Sequence, residues 1–399
     1  MLVRALSCQR EIKQEIKRIG ADTGSLPYFA NKSEILYFKA YGLRPGAANI
    51  LKQELLSRGG DLIVHKDCVT CKVASTDALL MGTVKTFRQL LDKLDHIPYG
   101  NLPRLKEALA LNLDLAKERK QDMILPRTGK SLNVWGKPLV MGVANLTPDS
   151  FYPDSRITDR GLLLKKIEEM INAGVDIVDL GGESTRPGSE RVPLEEELDR
   201  IIPAVELIRK NLDIPISIDT YKSEIARRAL DAGADIINDI SGLTFDTHMA
   251  KVVSDTKAPV IIMHIQGEPK HMQKDPFYTD VVKELCEYFS ERIQYAEESG
   301  IGREQIILDP GIGFGKRLQD NLEILKYLDE FKIFGSPVLI GVSRKSFIGD
   351  VLQLPVDKRL EGTLAATAIA IDRGANILRV HDVGENRRFI DMLHACKEI

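Results

Sequence analysis

The sequence is poor in cysteine, in long apolar runs and in excess charge of either sign. Its five cysteines are odd in number and mostly far apart in a chain of 399 residues, which favours a reducing, cytoplasmic setting over a disulfide framework. No run of about 18 apolar residues is present, so we expect neither a secretory leader nor a membrane partner. The net charge of -3 argues against nucleic acid bound on a basic face.

Two of the cysteines, Cys68 and Cys71, form a Cys-x-x-Cys motif close to His65. A tetrahedral zinc site needs four ligands, and no second cysteine pair follows at the usual spacing. We therefore predict ordinary, semi-buried cysteines here, and a metal or redox site is the alternative.

The first part of the chain predicts a small α+β domain over residues 1–125. Its strand and helix patterns alternate over short distances, with Pro45 placed to open a helix and Gly59-Gly60 placed beyond that helix's end. The polar stretch at 126–136 is interpreted as a connection to a second domain. Hydrophobic residues make up 43% of the chain and charged residues 28%, which is typical of a globular protein with a large core.

From residue 137 to 399 the pattern repeats as apolar strand-like runs, each followed by a helical segment. Four of these helices end at a glycine, which suits the left-handed residue that closes a helix. The strand-like runs are 139–145, 176–182, 215–220, 236–241, 259–264, 306–311, 337–343 and 377–382. Eight such units in about 260 residues predict an α/β fold of the (β/α)₈ TIM barrel type. An open, doubly wound sheet is the alternative.

Polar residues follow the apolar runs, at the end of a barrel where catalytic groups are expected. The set includes Asn145, Asp219, Asn238, His264, Asp309, Lys345, Arg379 and His381. The carboxylates, amide and amine among them can match the donor and acceptor edge of a planar nitrogen heterocycle. Arg379 and His381 are two residues apart, so on a strand they share a face, and with Asn145 they can hold a phosphate group or its metal. Ser343 to Ser346 precede a helix whose free N–H groups can bind an anion.

Five motifs, in this order, resemble those of the dihydropteroate synthases. They are Asn-Leu-Thr-Pro-Asp-Ser-Phe at 145–151, Gly-Glu-Ser-Thr-Arg-Pro-Gly at 182–188, Asp-Pro-Gly-Ile-Gly-Phe-Gly-Lys at 309–316, Ser-Arg-Lys-Ser at 343–346 and Arg-Val-His at 379–381. The resemblance covers residues 135 to 397. The first stretch is similar to an N-terminal extension carried by longer members of that family.

The resemblance implies that p-aminobenzoate displaces pyrophosphate from a pterin pyrophosphate, in folate biosynthesis. It implies catalysis by Lys345, Asp219, Arg379 and His381. The implied pterin site comprises Asp219, Asn238, Met263, Asp309 and Lys345. The implied aminobenzoate site comprises Phe151, Thr185, Arg186, Phe314 and Ser346. The implied pyrophosphate site comprises Asn145, Arg379 and His381.

Magnesium is the implied cofactor, bound through Asn145 and the phosphate oxygens, because this hard cation prefers oxygen ligands shared with phosphate. We also expect a cytoplasmic homodimer. One departure from the family pattern lies after Phe151, where Tyr152 to Arg156 replace a short polar residue followed by Asp and glycines.

Three other functions remain alternatives. A corrinoid-dependent methyltransferase would share Asp219, Asn238 and Asp309 but would not need Lys345 or the Arg379 and His381 pair. A related synthase would accept another aromatic amine or a modified pterin with scarcely changed motifs. A non-catalytic pterin-binding protein would have no use for the anion ligands.

Overall fold

The computed structural model describes residues 18–20, 34–115, 121–146, 156–184 and 191–398. The chain divides into two compact units, Met1–Arg119 and Lys120–Ile399. Within the described ranges, every helix is too short or too polar to cross a lipid bilayer.

The first unit contains a three-stranded antiparallel sheet and helices, as the sequence predicted. The sheet order is β1 (Ile35–Leu43), β3 (Thr76–Thr83), β2 (Asp61–Val64). The helices are α1 (Pro45–Leu56), α2 (Val84–Leu94) and α3 (Leu102–Leu115). The Thr83 hydroxyl accepts a hydrogen bond from the Thr86 N–H and so caps α2 at its start. Fully buried Leu51, Leu80 and Phe87 belong to the core of this unit.

The second unit opens with a two-stranded antiparallel hairpin, β4 (Met123–Leu125) and β5 (Lys130–Leu132). From the sequence, we predicted that 121–125 belong to the first domain and that 126–136 form a connection. In the structure, Met123 and Leu125 are 3% and 1% exposed. They pack against the amino-terminal ends of the barrel strands. Strands of three residues with a polar turn resemble a linker in sequence, because their packing partners are far away in the chain.

The eight remaining strands form one parallel sheet in barrel order. They are β6 (Leu139–Asn145), β7 (Ile177–Gly181), β8 (Ile216–Asp219), β9 (Ile236–Asp239), β10 (Val260–Met263), β11 (Ile306–Asp309), β12 (Leu339–Ile340) and β13 (Ile377–Val380). Each strand pairs with its neighbours in sequence, and β13 pairs with β6. The last gap is closed by a parallel bridge between Leu308 and Val338. The predicted barrel is therefore confirmed, and the open sheet is excluded because this bridge joins β11 to β12, the two strands that would otherwise be the edges.

Helices surround the barrel and bury its outer face. They are α4 (Arg156–Asn172), α5 (Leu194–Asn211), α6 (Ser223–Ala232), α7 (Met249–Thr256), α8 (Val281–Glu298), α9 (Leu318–Lys326), α10 (Ser346–Leu352), α11 (Leu360–Asp372) and α12 (Val383–Glu398). Short 3₁₀ turns lie at Arg303–Gln305, Leu328–Phe334 and Val356–Lys358. Because the strands are buried on both faces, they are almost continuously apolar. A polar residue on a strand therefore stands out.

Candidate active site

A row of four residues crosses the carboxyl ends of adjacent strands. Asn145 on β6 is in register with Gly181 on β7, and Gly181 with Asp219 on β8. Asp219 is in turn in register with Asn238 on β9. Asn145 Oδ1 and Asp219 Oδ2 lie 3.7 and 3.8 Å from the point that a Cβ on Gly181 would occupy. The glycine thus lets an amide oxygen and a carboxylate approach the same point at the barrel mouth.

Arg379 on β13 lies between two buried carboxylates. Its Nε donates to Asp179 Oδ2 and its Nη2 to Asp219 Oδ2, each at 2.7 Å. Asn238 Nδ2 donates to the same oxygen of Asp179 at 3.3 Å. One guanidinium therefore balances two carboxylates, which leaves this cluster with an excess of negative charge.

The buried carboxyl group of Asp219 has one oxygen available for a ligand. Its Oδ1 makes no hydrogen bond within the described part of the chain, although it is shielded from solvent. Burial raises the pKa of Asp219 to about 7, with Arg379 opposing the rise and Asp179 adding to it. A buried acceptor without a donor is unfavourable, so an N–H group of a ligand would be well placed here.

Asp309 lies across the barrel mouth from this cluster, at the end of β11. It is 6% exposed, and its Oδ1 accepts a hydrogen bond from the Gly311 N–H at 2.7 Å. Burial raises the pKa of Asp309, and the nearby Lys345 ammonium opposes the rise. Met263 on β10 is in register with Asp309. The apolar side chain of Met263 therefore lies beside a carboxylate, as a flat heterocycle with N–H donors would require.

Lys345 extends over the glycine-rich loop that follows β11. Its Nζ donates to the carbonyl oxygen of Ile312 and lies 4.5 Å from the centre of the Phe314 ring. Burial lowers the pKa of Lys345 to about 8, while the charge of Asp309 raises it. The structure thus brings together Asp309 at the end of β11, Phe314 in the loop that follows it and Lys345 in the loop after β12.

Aromatic and apolar side chains form a cluster beside these polar groups. Tyr221, Ile240 and Met263 are buried, and Phe245 and Phe314 pack against them. Tyr221 and Phe245 meet edge to face with ring centres 5.5 Å apart. The cluster offers a planar ligand an apolar surface next to hydrogen-bonding groups.

His381 lies just beyond the end of the strand that carries Arg379. Strand β13 ends at Val380, so the expectation that Arg379 and His381 share a face stays a prediction. The His381 ring is exposed, and its Nδ1 lies 3.0 Å from the Ser343 hydroxyl. Ser346 is exposed and is the first residue of α10. His381 follows β13 and Ser346 begins the helix that follows β12, so both lie on the same side of the barrel as Lys345.

Three predicted aminobenzoate ligands, Phe151, Thr185 and Arg186, lie outside the described residues, as does most of the Tyr152–Arg156 stretch. Their roles remain predictions.

Sequence reasoning missed Asp179, which binds both Arg379 and Asn238. The available signal was a single acidic residue inside the apolar run Ile177–Gly181, where a buried charge requires a partner. Spacing along the sequence does not identify that partner, because Arg379 is 200 positions away.

A second buried ionic network was also missed, centred on Lys222. Lys222 Nζ donates to Glu183 Oε2 at 2.8 Å, to the Val192 carbonyl at 2.6 Å and to Glu197. Burial raises the pKa of Glu197, and Lys222 opposes this rise. Tyr221 donates to the other oxygen of Glu183 at 2.9 Å. The network joins the ends of β7 and β8 to the start of α5.

A cavity of about 360 Å³ opens next to that network, between the loops that follow β7 to β10. Its walls include Glu183, Tyr221, Phe245 and Glu268. The Tyr221 and Phe245 rings belong to the aromatic cluster already described, so the cavity continues the same surface.

The two cysteines of the Cys-x-x-Cys motif differ in solvent exposure. Cys68 is buried, with its Sγ 3.9 Å from the Pro45 carbonyl, whereas Cys71 is exposed. Among the residues that the structure describes, no group of three or more His, Cys, Asp or Glu side chains is arranged to hold a metal ion. The interpretation as ordinary cysteines stays a prediction.

Comparison with known proteins identifies the barrel. A family model described as "Pterin binding enzyme" matches residues 141–381. The dihydropteroate synthase of Synechocystis sp. is 48% identical over 257 residues, which is 64% of this chain and 89% of that protein. A crystal structure of Xanthomonas albilineans dihydropteroate synthase with 4-aminobenzoic acid has a TM-score of 0.65 and 38% identity, and covers 70% of this chain and 100% of that one.

A longer match reaches beyond the barrel. A probable bifunctional folylpolyglutamate synthase/dihydropteroate synthase of Haloferax volcanii is 39% identical over 357 residues, or 88% of this chain and 42% of that protein. This match is longer than the barrel unit, Lys120–Ile399, so it must include part of the first unit. The extension is thus shared with at least one such relative. Taken together with the site, these similarities show that the chain belongs to the pterin binding enzymes and, among them, to the dihydropteroate synthases.

Proposed function

We propose that this chain joins 6-hydroxymethyl-7,8-dihydropterin pyrophosphate to p-aminobenzoate and releases pyrophosphate. The observation that carries the proposal is the meeting of Asp219, Asn238, Asp309 and Lys345 at one barrel mouth, where a buried oxygen of Asp219 has no donor among the described residues. These groups supply acceptors and donors from opposite sides of the barrel, as the edge of a pterin ring requires.

The pterin half of the site uses carboxylates as hydrogen-bond acceptors. Asp309 and Asp219 accept from ring N–H groups, and hydrogen bonds to a charged acceptor are stronger than neutral ones. Asn238 is held by Asp179 through its Nδ2, which leaves its Oδ1 for the ligand. Met263 packs against one face of the ring, and Lys345 donates to the ring from the loop after β12.

The pyrophosphate half uses Arg379, His381 and Asn145. Among the described residues, Nε and Nη2 of Arg379 each donate one hydrogen bond to a carboxylate, and we assign the N–H groups of Nη1 to the leaving anion. His381 is exposed at the same end of the barrel and can donate to phosphate oxygens. These groups stabilise the negative charge that grows as the carbon–oxygen bond breaks, and electrostatic stabilisation of this kind usually lowers an enzyme's activation barrier more than any other effect.

Magnesium fits the donor set. The Asn145 side chain is half-buried at the end of β6, and its amide oxygen, a hard ligand, faces the Gly181 position of the row. When bound, the cation would neutralise charge on the pyrophosphate oxygens and orient them.

The aminobenzoate half is formed around Phe314 and Ser346, with Phe151, Thr185 and Arg186 as the further ligands that the resemblance implies. Phe314 offers its ring next to Lys345, and Ser346 offers an exposed hydroxyl at the first residue of α10. The amine then attacks the pterin methylene carbon from a site that is lined by apolar groups and excludes water. A corrinoid-dependent methyltransferase or a non-catalytic pterin-binding protein would not need Ser346 or the anion ligands.

We further propose that the protein works as a homodimer in the cytoplasm. Apolar side chains remain exposed on α10, α11 and the turn between them, with Val351 at 53%, Val356 at 56% and Ile369 at 49%. A second copy would bury this surface, and the described cysteines are free thiols, as suits a reducing compartment.

The direct test is a product assay with the pterin pyrophosphate, p-aminobenzoate and Mg²⁺, with and without Arg379→Ala. We expect dihydropteroate and one pyrophosphate per product in the unaltered protein. Arg379→Ala should lose turnover far more than affinity for the pterin alcohol. Absence of product from folded protein that binds the pterin would overturn the proposal.

A further inference from the structure

Lys316 is a buried cation to which the proposed function assigns no task. It ends the glycine-rich loop after β11, and it is 3% exposed. Its Nζ lies 2.9 Å from His264 Nδ1, 3.0 Å from the Phe314 carbonyl oxygen and 3.3 Å from the His264 carbonyl oxygen. A lysine ammonium has three N–H donors, so these three acceptors match it fully.

The charge state of this contact is finely balanced. Burial lowers the pKa of Lys316 to about 7, and the charge of Asp309 opposes the shift. Burial and the neighbouring Lys316 lower the pKa of His264 well below 6.5, so its ring is neutral. A neutral ring accepts a hydrogen bond at Nδ1 when its proton is on Nε2. The ammonium form of Lys316 donates to all three acceptors, whereas the amine form has two N–H donors for them.

The glycine-rich loop lies directly on the backbone that follows β10. A Cβ on Gly311, whose φ is +66°, would come within 2.0 Å of the His264 carbonyl oxygen. A Cβ on Gly315, whose φ is +61°, would come within 2.5 Å of the Gln266 carbonyl oxygen. Two backbones this close leave no room for side chains between them. Lys316 hydrogen-bonds to both segments, to His264 after β10 and to the Phe314 carbonyl in the glycine-rich loop.

The same loop supports Lys345 from below. The Ile312 carbonyl accepts from Lys345 Nζ, and the Phe314 ring lies 4.5 Å beneath that atom. A Cβ on Gly313 would come within 3.2 Å of Lys345 Cδ. Any shift of the loop relative to β10 would therefore move the groups that hold the Lys345 amine.

We propose that Lys316 is a positioning residue for the reaction, which ties the glycine-rich loop to His264 and so holds Phe314 and Lys345 in place. The inference rests on the proposed function, because it takes Lys345 and Phe314 as substrate-binding groups. Lys316 itself touches no substrate.

The test is a double-mutant cycle with Lys316→Met and Lys345→Met. Displacing a catalytic group by about 1 Å costs up to about 100-fold, so we expect Lys316→Met to lower kcat/KM by about 10- to 100-fold. In the Lys345→Met background the same substitution should cost little more, because residues that act through each other are not additive. Affinity for the pterin alcohol, measured by calorimetry, should show the same coupling without any turnover.

A buried ion pair at the opposite end of the barrel provides the control. Arg209 Nη2 binds Asp235 Oδ2 at 2.5 Å, next to the start of β9. Arg209→Met should lower stability yet combine additively with Lys345→Met. If Lys316→Met does not fold, His264→Phe replaces it in the cycle, because this substitution removes the Nδ1 acceptor of Lys316.

The outcomes separate the two ideas. Additive effects of Lys316→Met and Lys345→Met, or unchanged kcat/KM in folded Lys316→Met, would overturn the positioning role. An unaltered protein that makes no product would instead overturn the proposed function, whereas the calorimetric cycle would still report on Lys316.

Discussion

Arg344 and Asp382 form a bidentate ion pair that joins the loops after β12 and β13. Arg344 Nε lies 2.8 Å from Asp382 Oδ2, and Nη2 lies 2.7 Å from Oδ1. Arg344 has a φ of +57°, in the left-handed region that non-glycine residues rarely adopt. The pair therefore holds a strained residue immediately before Lys345. The contact between Ser343 and His381, one position earlier, joins the same two loops.

Asp382→Asn should disturb Lys345 without touching the substrate. The substitution removes a charge-assisted, two-point interaction worth about 1.5–3 kcal/mol, and the strained Arg344 backbone can then relax. We expect kcat/KM to fall about 10-fold or more. Asp255→Asn, which breaks the exposed pair of Asp255 with Lys251, is the matched control and should leave kcat/KM unchanged. Equal kinetics for the two variants would show that the Arg344 pair serves stability alone.

Asp309→Asn should weaken pterin binding by about 2–3 kcal/mol, because a ring N–H would then face an amide in place of a carboxylate. Calorimetry with the pterin alcohol measures this directly. Asp235→Asn is the control, since Asp235 is equally buried but lies at the amino-terminal end of the barrel. It should lower stability and leave pterin affinity intact. An Asp309→Asn protein with unaltered affinity would contradict the assignment.

Pterin binding should release a proton below neutral pH. The pKa of Asp219 is raised to about 7, so at pH 6 the free carboxyl group is mostly protonated. A ring N–H donor needs the carboxylate form, so binding at pH 6 must expel close to one proton, and none at pH 8.5. Affinity should accordingly fall about 10-fold per pH unit below 7.

Calorimetry in buffers of different ionisation enthalpy counts the protons released. Asp219→Asn should abolish both the release and the slope. The same proton release in Asp219→Asn as in the unaltered protein would assign the titration to another group.

The barrel should fold from Lys120 but lose stability if the hairpin is removed. A chain starting at Asn133 lacks Met123 and Leu125, each worth about 1.5–3 kcal/mol when fully buried. Urea unfolding should show a lower midpoint for that chain than for one starting at Lys120, whereas both should bind the pterin. Trp135, the single tryptophan, hydrogen-bonds to the Gln121 carbonyl and reports on this region by fluorescence. Equal midpoints would mean that the hairpin adds nothing.

The sequence by itself determined the eight strands, their order and the end of the barrel that carries the site. Buried parallel strands are mostly apolar along their length, and polar residues at or near their carboxyl ends indicate the catalytic end of the barrel. Asp219, Asn238, Asp309 and Arg379 were found in this way. Such a signal is local, because it depends on the environment of each strand rather than on its partners.

Tertiary structure alone decided which of these residues meet. Closure through Leu308 and Val338, the pairing of Asp179 with Arg379 and the support of Lys345 by the loop ending at Lys316 all join distant segments. The contact of His381 Nδ1 with the Ser343 hydroxyl likewise joins residues 38 positions apart. Contacts of this kind depend on how strands are staggered and how closely backbones approach, and periodicity along a chain does not encode these distances.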